Sequence, residues 1–201
     1  CNQAYLYMGT MGLMDVAVAM QKAQPFFEKA IALGPNLSQT QLNLAWIAMW
    51  YKMDLSAAYK HLNNAMAIRA TDEMYLTMSN FKTIEGNLDA AGIYIDKALE
   101  IAPFSAMNID YKGFWFYMKE DFENALVYYK RSLELEPNLP FPVFCIGMCY
   151  LLRGNTTQAL HYFEALPDDS NGFLSKLGGL TITHVHLGNL EKVEEGILKL
   201  K

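Results

Sequence analysis

The sequence predicts an all-α fold in which about six helix–turn–helix units stack in chain order. Three observations predict it. Turn residues and small residues recur at intervals of 34 residues; the tripeptide Pro-Asn-Leu, at 35–37 and again at 137–139, is separated by three such intervals. Inside each interval, apolar residues recur every three or four positions, as they do along one face of a helix. Residues that start and stop helices stand at the joints between these segments.

The amino-acid composition is typical of a folded domain, and the net charge argues against binding to nucleic acid. The chain has 201 residues, of which 52% are hydrophobic and 18% are charged, so it can bury a sizeable core. Its net charge is −5 and no basic stripe stands out, so we expect no direct contact of this segment with nucleic acid. No stretch is typical of a transmembrane helix, because the uncharged run 30–51 is interrupted by Gly34-Pro35-Asn36.

The repeat sets the boundaries of the units. In the clearest unit, Gly113 and Phe116 lie on the first helix, Ala125 and Tyr129 lie on the second helix, and Pro137 stops it. The same pattern places the units, within a single array, at about 5–36, 38–70, 72–104, 105–138, 139–171 and 173–201.

Capping residues indicate where the helices begin and end. Short side chains with an oxygen acceptor stand where second helices should start, at Asp54, Asn87, Asp121, Asn155 and Asn189. Three glycines precede such positions and predict left-handed turns that end the first helices, at Gly86, Gly154 and Gly188. Ser38 and Gln41 have the spacing of a capping box and predict the start of another first helix.

A 34-residue helical hairpin with a small residue facing an aromatic residue, and with a proline at its end, resembles the tetratricopeptide repeat (TPR). Gly113, Phe116, Ala125, Tyr129 and Pro137 carry this resemblance most fully. It implies a right-handed α-α superhelix whose first helices line a concave groove. The run AYLYMG at 4–9 and the segments that follow it also look like TPR arrays attached to bacterial transcription regulators and nucleotide cyclases.

Both ends of the chain depart from the repeat. Pro25 falls inside a predicted second helix, so that helix either starts near Gln24 or kinks. The stretch 10–20 lacks the usual turn, which predicts an irregular first unit. No polar capping helix follows the last unit, so Val193, Ile197 and Leu200 would be exposed if the chain ended there. We therefore expect a fragment of a larger protein, or a homodimer formed through this uncapped repeat.

No catalytic or metal-binding motif is recognisable. Cys145 and Cys149 are four residues apart on a predicted helix and are typical of small buried residues. His184 and His186, two residues apart, point to different faces of a helix. Gly178 and Gly179 lie in a helical pattern and indicate close helix packing. We expect no enzymatic activity, no metal and no cofactor.

The predicted binding site lies on the first helices, which line the groove of such an array. The predicted partner-binding residues are Asn43, Ile47, Trp50, Leu76, Asn80, Asp110, Phe114, Tyr117, Phe144 and Met148, and Phe141, Ile182 and Val185 extend this lining. Asn43 and Asn80 resemble asparagines that hold peptide backbones in some TPR grooves. Leu76 and Phe144 stand where a carboxylate-clamp lysine would be, which argues against a chaperone C-terminus as the ligand.

Two interpretations of this apolar lining remain open. It binds a peptide or a partner domain, or its aromatic residues only pack between neighbouring helices, since an error of one residue turns a helix by about 100°. The lining could also face another domain of the same chain. The resemblance implies a protein–protein interaction scaffold that regulates a larger bacterial protein. The alternative is the ligand-sensing arm of a transcription regulator or cyclase. Three cysteines form no disulfide framework, so we expect the cytoplasm, with the periplasmic side of an anchored protein as the alternative.

Overall fold

The computed structural model of the chain describes residues 16–168 and 172–199. Over these residues it contains eleven α-helices and no strand, which confirms the all-α fold class. The helices are α1 (Val16–Leu33), α2 (Ser38–Trp50), α3 (Leu55–Ile68), α4 (Asp72–Ile84), α5 (Leu88–Ile101), α6 (Ala106–Met118), α7 (Phe122–Leu135), α8 (Pro140–Leu152), α9 (Thr156–Glu164), α10 (Phe173–His186) and α11 (Leu190–Lys199).

The helices form hairpins in chain order. Pairs α2–α3, α4–α5, α6–α7, α8–α9 and α10–α11 are each joined by a turn of three or four residues. Helix α1 supplies the second half of the first predicted unit, and the first half of that unit lies outside the described residues.

Every predicted N-cap of a second helix accepts a hydrogen bond from the backbone N–H three residues later. The acceptor and donor residues are Asp54 and Ala57 (2.9 Å), Asn87 and Ala90 (3.1 Å), Asp121 and Asn124 (3.2 Å), Asn155 and Gln158 (3.1 Å), and Asn189 and Lys192 (3.3 Å). These bonds satisfy N–H groups that have no partner inside the helix, so the prediction is confirmed.

The predicted left-handed turns are also present. Gly86, Gly154 and Gly188 have φ angles of 76°, 77° and 68°. Glu120 occupies the equivalent position of its own hairpin with φ of 60°, and Met53 has φ of 52°. Two hairpins therefore use a residue with a Cβ in a conformation that favours glycine.

Small residues on first helices allow the two helices of a hairpin to approach closely, as the resemblance predicts. A Cβ added to Gly113 would lie 2.9 Å from Tyr129, and one added to Gly147 would lie 2.5 Å from Phe163. Gly179, on the following hairpin, also meets the ring of Phe163. Both rings are fully buried. The small residue and the aromatic residue thus fill one packing position together.

The described chain divides into two compact units, unit 1 at 1–80 and unit 2 at 81–201. In unit 1, Ala23 and Phe27 of α1 pack with Ile47 of α2. In unit 2, one core cluster comprises Ala125, Leu126, Tyr129, Cys145, Ile146 and Cys149. A second cluster in unit 2 comprises Leu151, Ala159, Phe163 and Leu166. The first two clusters join a second helix to the first helix of the next repeat unit, as expected when a hairpin cannot bury its apolar side alone. The third cluster joins the two helices of the α8–α9 hairpin.

One local prediction was wrong, and one of the two alternatives given for the helix at Pro25 is excluded. Ser38 is not a cap: α2 begins at it, Leu37 precedes it without a side-chain cap, and Gln41 Nε2 donates to the carbonyl of Pro35 at 2.7 Å. Helix α1 does not start near Gln24, since its described part runs from Val16 through Pro25 to Leu33. Proline lacks an N–H, so α1 lacks one backbone hydrogen bond at that position.

The last hairpin shows the exposure that the sequence predicts. Ile197 is 45% exposed and Val193 is half-buried, whereas Leu200 lies outside the described residues. Leu190 and Leu198 are 73% and 69% exposed. The expectations of a single array, of a larger protein and of a homodimer stay predictions. No described helix is both long and apolar enough to cross a membrane.

Candidate partner-binding surface

In unit 2, predicted site residues on α6 and α8 come together around four aromatic rings. We call Phe114, Tyr117, Phe141 and Phe144 the aromatic surface. The ring of Phe114 lies 6.3 Å from that of Tyr117 and 6.1 Å from that of Phe141, measured between centroids. Phe114, Tyr117 and Phe144 pack against the core cluster that contains Tyr129. They are half-buried, and Phe141 is 41% exposed, so the surface has a fixed base and a solvent-facing edge.

Met148 lies beside this surface on α8. Together with Phe144 it packs against the core cluster that contains Phe163, and the Phe144 and Phe163 rings are 5.7 Å apart. Met148 is half-buried. Its flexible side chain adapts readily to different neighbours, which suits a binding surface.

Asp110 is the acidic member of the predicted site in unit 2. It is 8% exposed, and its Oδ1 atom is buried without a hydrogen-bond partner. Burial raises the pKa of this carboxyl from 3.8 to about 7. Spacings of four and three residues place Asp110, Phe114 and Tyr117 along one face of α6. The aromatic surface thus continues into a buried acid, one of whose carboxyl oxygens accepts no hydrogen bond among the described residues.

The five predicted site residues of unit 1 have a different environment. Ile47 and Leu76 are buried at 7% and 3% exposure, and Ile47 belongs to the core formed with α1. Asn43 is buried and Asn80 is half-buried. Trp50 is 38% exposed, and its ring stacks on that of Trp46 at 6.1 Å. Trp50 therefore offers the most accessible apolar area of this set, and the binding roles of all five stay predictions.

The sequence analysis did not single out Met107. This residue is 57% exposed and lies three residues before Asp110, on the same face of α6. Met107, Asp110, Phe114 and Tyr117 are spaced by three, four and three residues, which is the spacing of one helix face. The sequence alone could therefore have identified Met107.

The opposite side of α6 has a structural role. At 100° per residue, Lys112, Trp115 and Lys119 lie away from the face that carries Asp110. Trp115 Nε1 donates to the carbonyl of Leu88 at 2.6 Å, and the Lys112 and Lys119 Nζ atoms lie 4.2 and 4.7 Å from its ring centroids. Lys112 Nζ also pairs with Asp96 at 2.7 Å. These contacts fasten α6 to α5 and engage both lysines.

The cysteines are buried core residues. Cys145 and Cys149 are free thiols with 4% and 0% exposure. Burial raises the pKa of the Cys145 thiol strongly and that of the Cys149 thiol to about 12, so neither forms a thiolate readily at neutral pH. Among the described residues, no group of three or more His, Cys, Asp or Glu could hold a metal ion.

The family model described as the tetratricopeptide repeat matches residues 72–105. The structure is similar to PilW, a widely conserved type IV pilus biogenesis factor, with a TM-score of 0.69, 21% identity, and coverage of 99% of this chain and 91% of that chain. No curated protein matches the sequence.

Two further solved structures show the same fold. A tetratricopeptide repeat protein from Parabacteroides merdae has a TM-score of 0.60 at 18% identity, over 81% of this chain and 65% of that one. A chain of the APC/C hetero-tetramer Cut9–Hcn1 has a TM-score of 0.71 at 16% identity, over 96% of this chain and 39% of that one.

The fold of the chain belongs to the class of all-α arrays of helical hairpins. The chain carries the tetratricopeptide repeat, matched by sequence at 72–105, and has the fold of solved TPR proteins over almost its whole length. This fold supports a role as a protein–protein interaction scaffold, and proteins built on it are generally non-catalytic. Protein partners are therefore the expected ligands.

Proposed function

We propose that this chain is a non-catalytic scaffold that binds a peptide or a partner domain through the aromatic surface of unit 2, as a regulatory module of a larger bacterial protein. The observation that carries the proposal is the group of four rings in mutual or shared contact on α6 and α8, with Phe141 at their exposed edge. Large aromatic side chains contribute most to binding energy when they are clustered and partly desolvated.

The way the rings are held supports a binding role. Phe114, Tyr117 and Phe144 pack against the buried cluster around Tyr129, and Phe141 packs against Phe114, so these side chains lose little entropy when a partner binds. Met107 of α6 and Met148 of α8 lie on the same helices as these rings, and their flexible side chains adapt to partners of different shape. An amphipathic helix or an extended apolar segment matches such a surface.

The alternative, a ligand-sensing arm of a transcription regulator or cyclase, gains no support from the solved structures named above.

Site-directed photocrosslinking in the source cells tests the proposal. p-Benzoylphenylalanine replaces Phe141 of the aromatic surface, and in a control protein it replaces Val127, which is 61% exposed on a second helix. We expect one partner to crosslink through position 141 and not through position 127. The crosslinked partner is then identified by mass spectrometry and purified.

Calorimetry with that purified partner then measures the contribution of the rings. Phe114→Ala with Phe141→Ala should weaken binding by more than tenfold, because two contact rings are lost. Ile93→Ala with Val127→Ala removes apolar area from two exposed positions on second helices and serves as the matched control. Unchanged affinity in the first variant, with a native circular dichroism spectrum, would refute the proposed surface.

A further inference from the structure

A buried acid lies beside the aromatic surface, on the same face of α6 as Phe114 and Tyr117. Asp110 is more than nine-tenths buried, and its Oδ1 atom has no hydrogen-bond partner. The described ion pairs engage Asp89, Asp96, Glu123 and other acids of unit 2, but not Asp110. A buried carboxyl group without a donor is costly, and proteins rarely keep one without a compensating use.

The groups that face Asp110 cannot compensate its charge. Tyr129 of α7 and Cys145 of α8 interact with it electrostatically, and neither side chain carries a positive charge in any protonation state. The lysines nearest in sequence, Lys112 and Lys119, are engaged with Trp115 on the other side of α6. Burial raises the pKa of Asp110, and no cation among the described residues opposes this rise.

We infer that the partner of the aromatic surface is an apolar segment with one Lys or Arg, and that Asp110 recognises the positive charge of that side chain. This inference rests on the proposed function and names the chemistry of its ligand. Phe114 and Tyr117 share the face of α6 with Asp110, so a cation that reaches the carboxylate passes aromatic rings whose faces attract positive charge. The apolar neighbours of that cation then pack on Phe141 and Phe144.

Charge complementarity favours this occupant over an acidic or neutral segment. The sequence of unit 2 carries 11 Lys and Arg residues against 16 Asp and Glu residues. Its field attracts a basic segment and repels an acidic one. A neutral apolar segment would bury Asp110 further and leave its oxygen unpaired, which costs free energy.

The test uses the full chain and two synthetic peptides. The first has the sequence Gly-Ser-Leu-Phe-Lys-Leu-Phe-Ser-Gly, and the second has norleucine in place of Lys, which preserves the aliphatic stem and removes the charge. Isothermal calorimetry at pH 8 measures binding to the wild-type chain, to Asp110→Asn and to Glu134→Gln. Glu134 is exposed on α7, so its variant removes the same charge away from the aromatic surface.

We expect the Lys peptide to bind the wild-type chain at least tenfold more tightly than the norleucine peptide. Asp110→Asn should abolish this preference, and Glu134→Gln should retain it. In the wild-type chain, ¹³C NMR of the Asp110 carboxyl should show a lower titration midpoint with the Lys peptide and no lowering with the norleucine peptide. This readout holds even if Asp110→Asn does not fold.

Two results would overturn the inference and separate it from the proposed function. Equal binding of both peptides, lost in Phe114→Ala with Phe141→Ala, would mean that the aromatic surface binds apolar segments without using Asp110. No binding of the Lys peptide at millimolar concentration would also reject the inference. In that case the crosslinking experiment still decides the proposed function independently.

Discussion

Asp110→Asn should make the protein more stable at neutral and alkaline pH. The substitution keeps the shape of the side chain and removes its ability to ionise. A carboxyl whose pKa rises from 3.8 to about 7 on folding binds its proton more tightly in the folded state. Its favourable contribution is therefore complete below about pH 4, and it is lost as the pH rises to about 7.

The magnitude follows from the size of that change. At about 1.4 kcal/mol for each pK unit, a rise from 3.8 to about 7 makes the ionised wild-type chain less stable by about 4 kcal/mol than the protonated chain. This value is an upper limit because water can reach the carboxyl when unit 2 opens locally. Tyr129, Cys145 and Cys149 titrate above this pH range and do not contribute to the change.

Urea denaturation followed by far-ultraviolet circular dichroism, at intervals from pH 4.5 to 8, measures the effect. The free energy of unfolding of Asp110→Asn minus that of the wild-type chain should rise by about 3 to 4 kcal/mol across this range. Groups shared by both proteins cancel in the difference. Glu134→Gln, which replaces an exposed acid of α7, is the matched control. A difference for Asp110→Asn that does not change with pH, or that only equals the change measured for Glu134→Gln, would refute the reasoning.

The other predictions concern turns and packing, and thermal unfolding tests all of them. Gly179→Ala should lower the free energy of unfolding by about 1–3 kcal/mol, because the added methyl group meets the buried ring of Phe163. Gly178→Ala should raise it by up to about 1 kcal/mol, because no neighbouring atom lies within 4 Å of the added methyl group. Equal effects of the two substitutions would contradict the packing. Glu120→Gly should stabilise by about 0.5–1 kcal/mol because φ is 60°, and a loss of stability would contradict this. Asn155→Ala should cost about 1 kcal/mol by removing a cap at 3.1 Å, and Asn155→Ser should restore most of it.

The sequence was informative where the determinants of structure are local. Asn155 caps its helix through a bond to a residue three positions away, and Gly154 adopts its φ angle within one turn, so a window of a few residues suffices to predict both. Ser38 shows the limit. Its hydroxyl lies 3.5 Å from the carbonyl of Arg69, a partner 31 residues away that the local pattern did not reveal.

The candidate site was harder to predict for the same reason. The repeat placed Asp110, Phe114 and Tyr117 on one face of α6, and the structure places them on one face as well. On α2 and α4, however, the same rule selected Ile47 and Leu76, which are buried. Which residues of a helix face remain accessible depends on the stacking of its neighbours, and a single sequence does not encode that stacking locally.

Phe163 has a consequence for how this part of the chain opens. Its ring fills the space left by Gly147 on its own hairpin and by Gly179 on the next one. The two hairpins therefore share the packing of one side chain. If the ring moves away, its contacts with Gly147 and with Gly179 are lost together. Amide protons of α8 and α10 should then exchange with solvent as one cooperative block. Local opening of either hairpin would open the other through this shared contact.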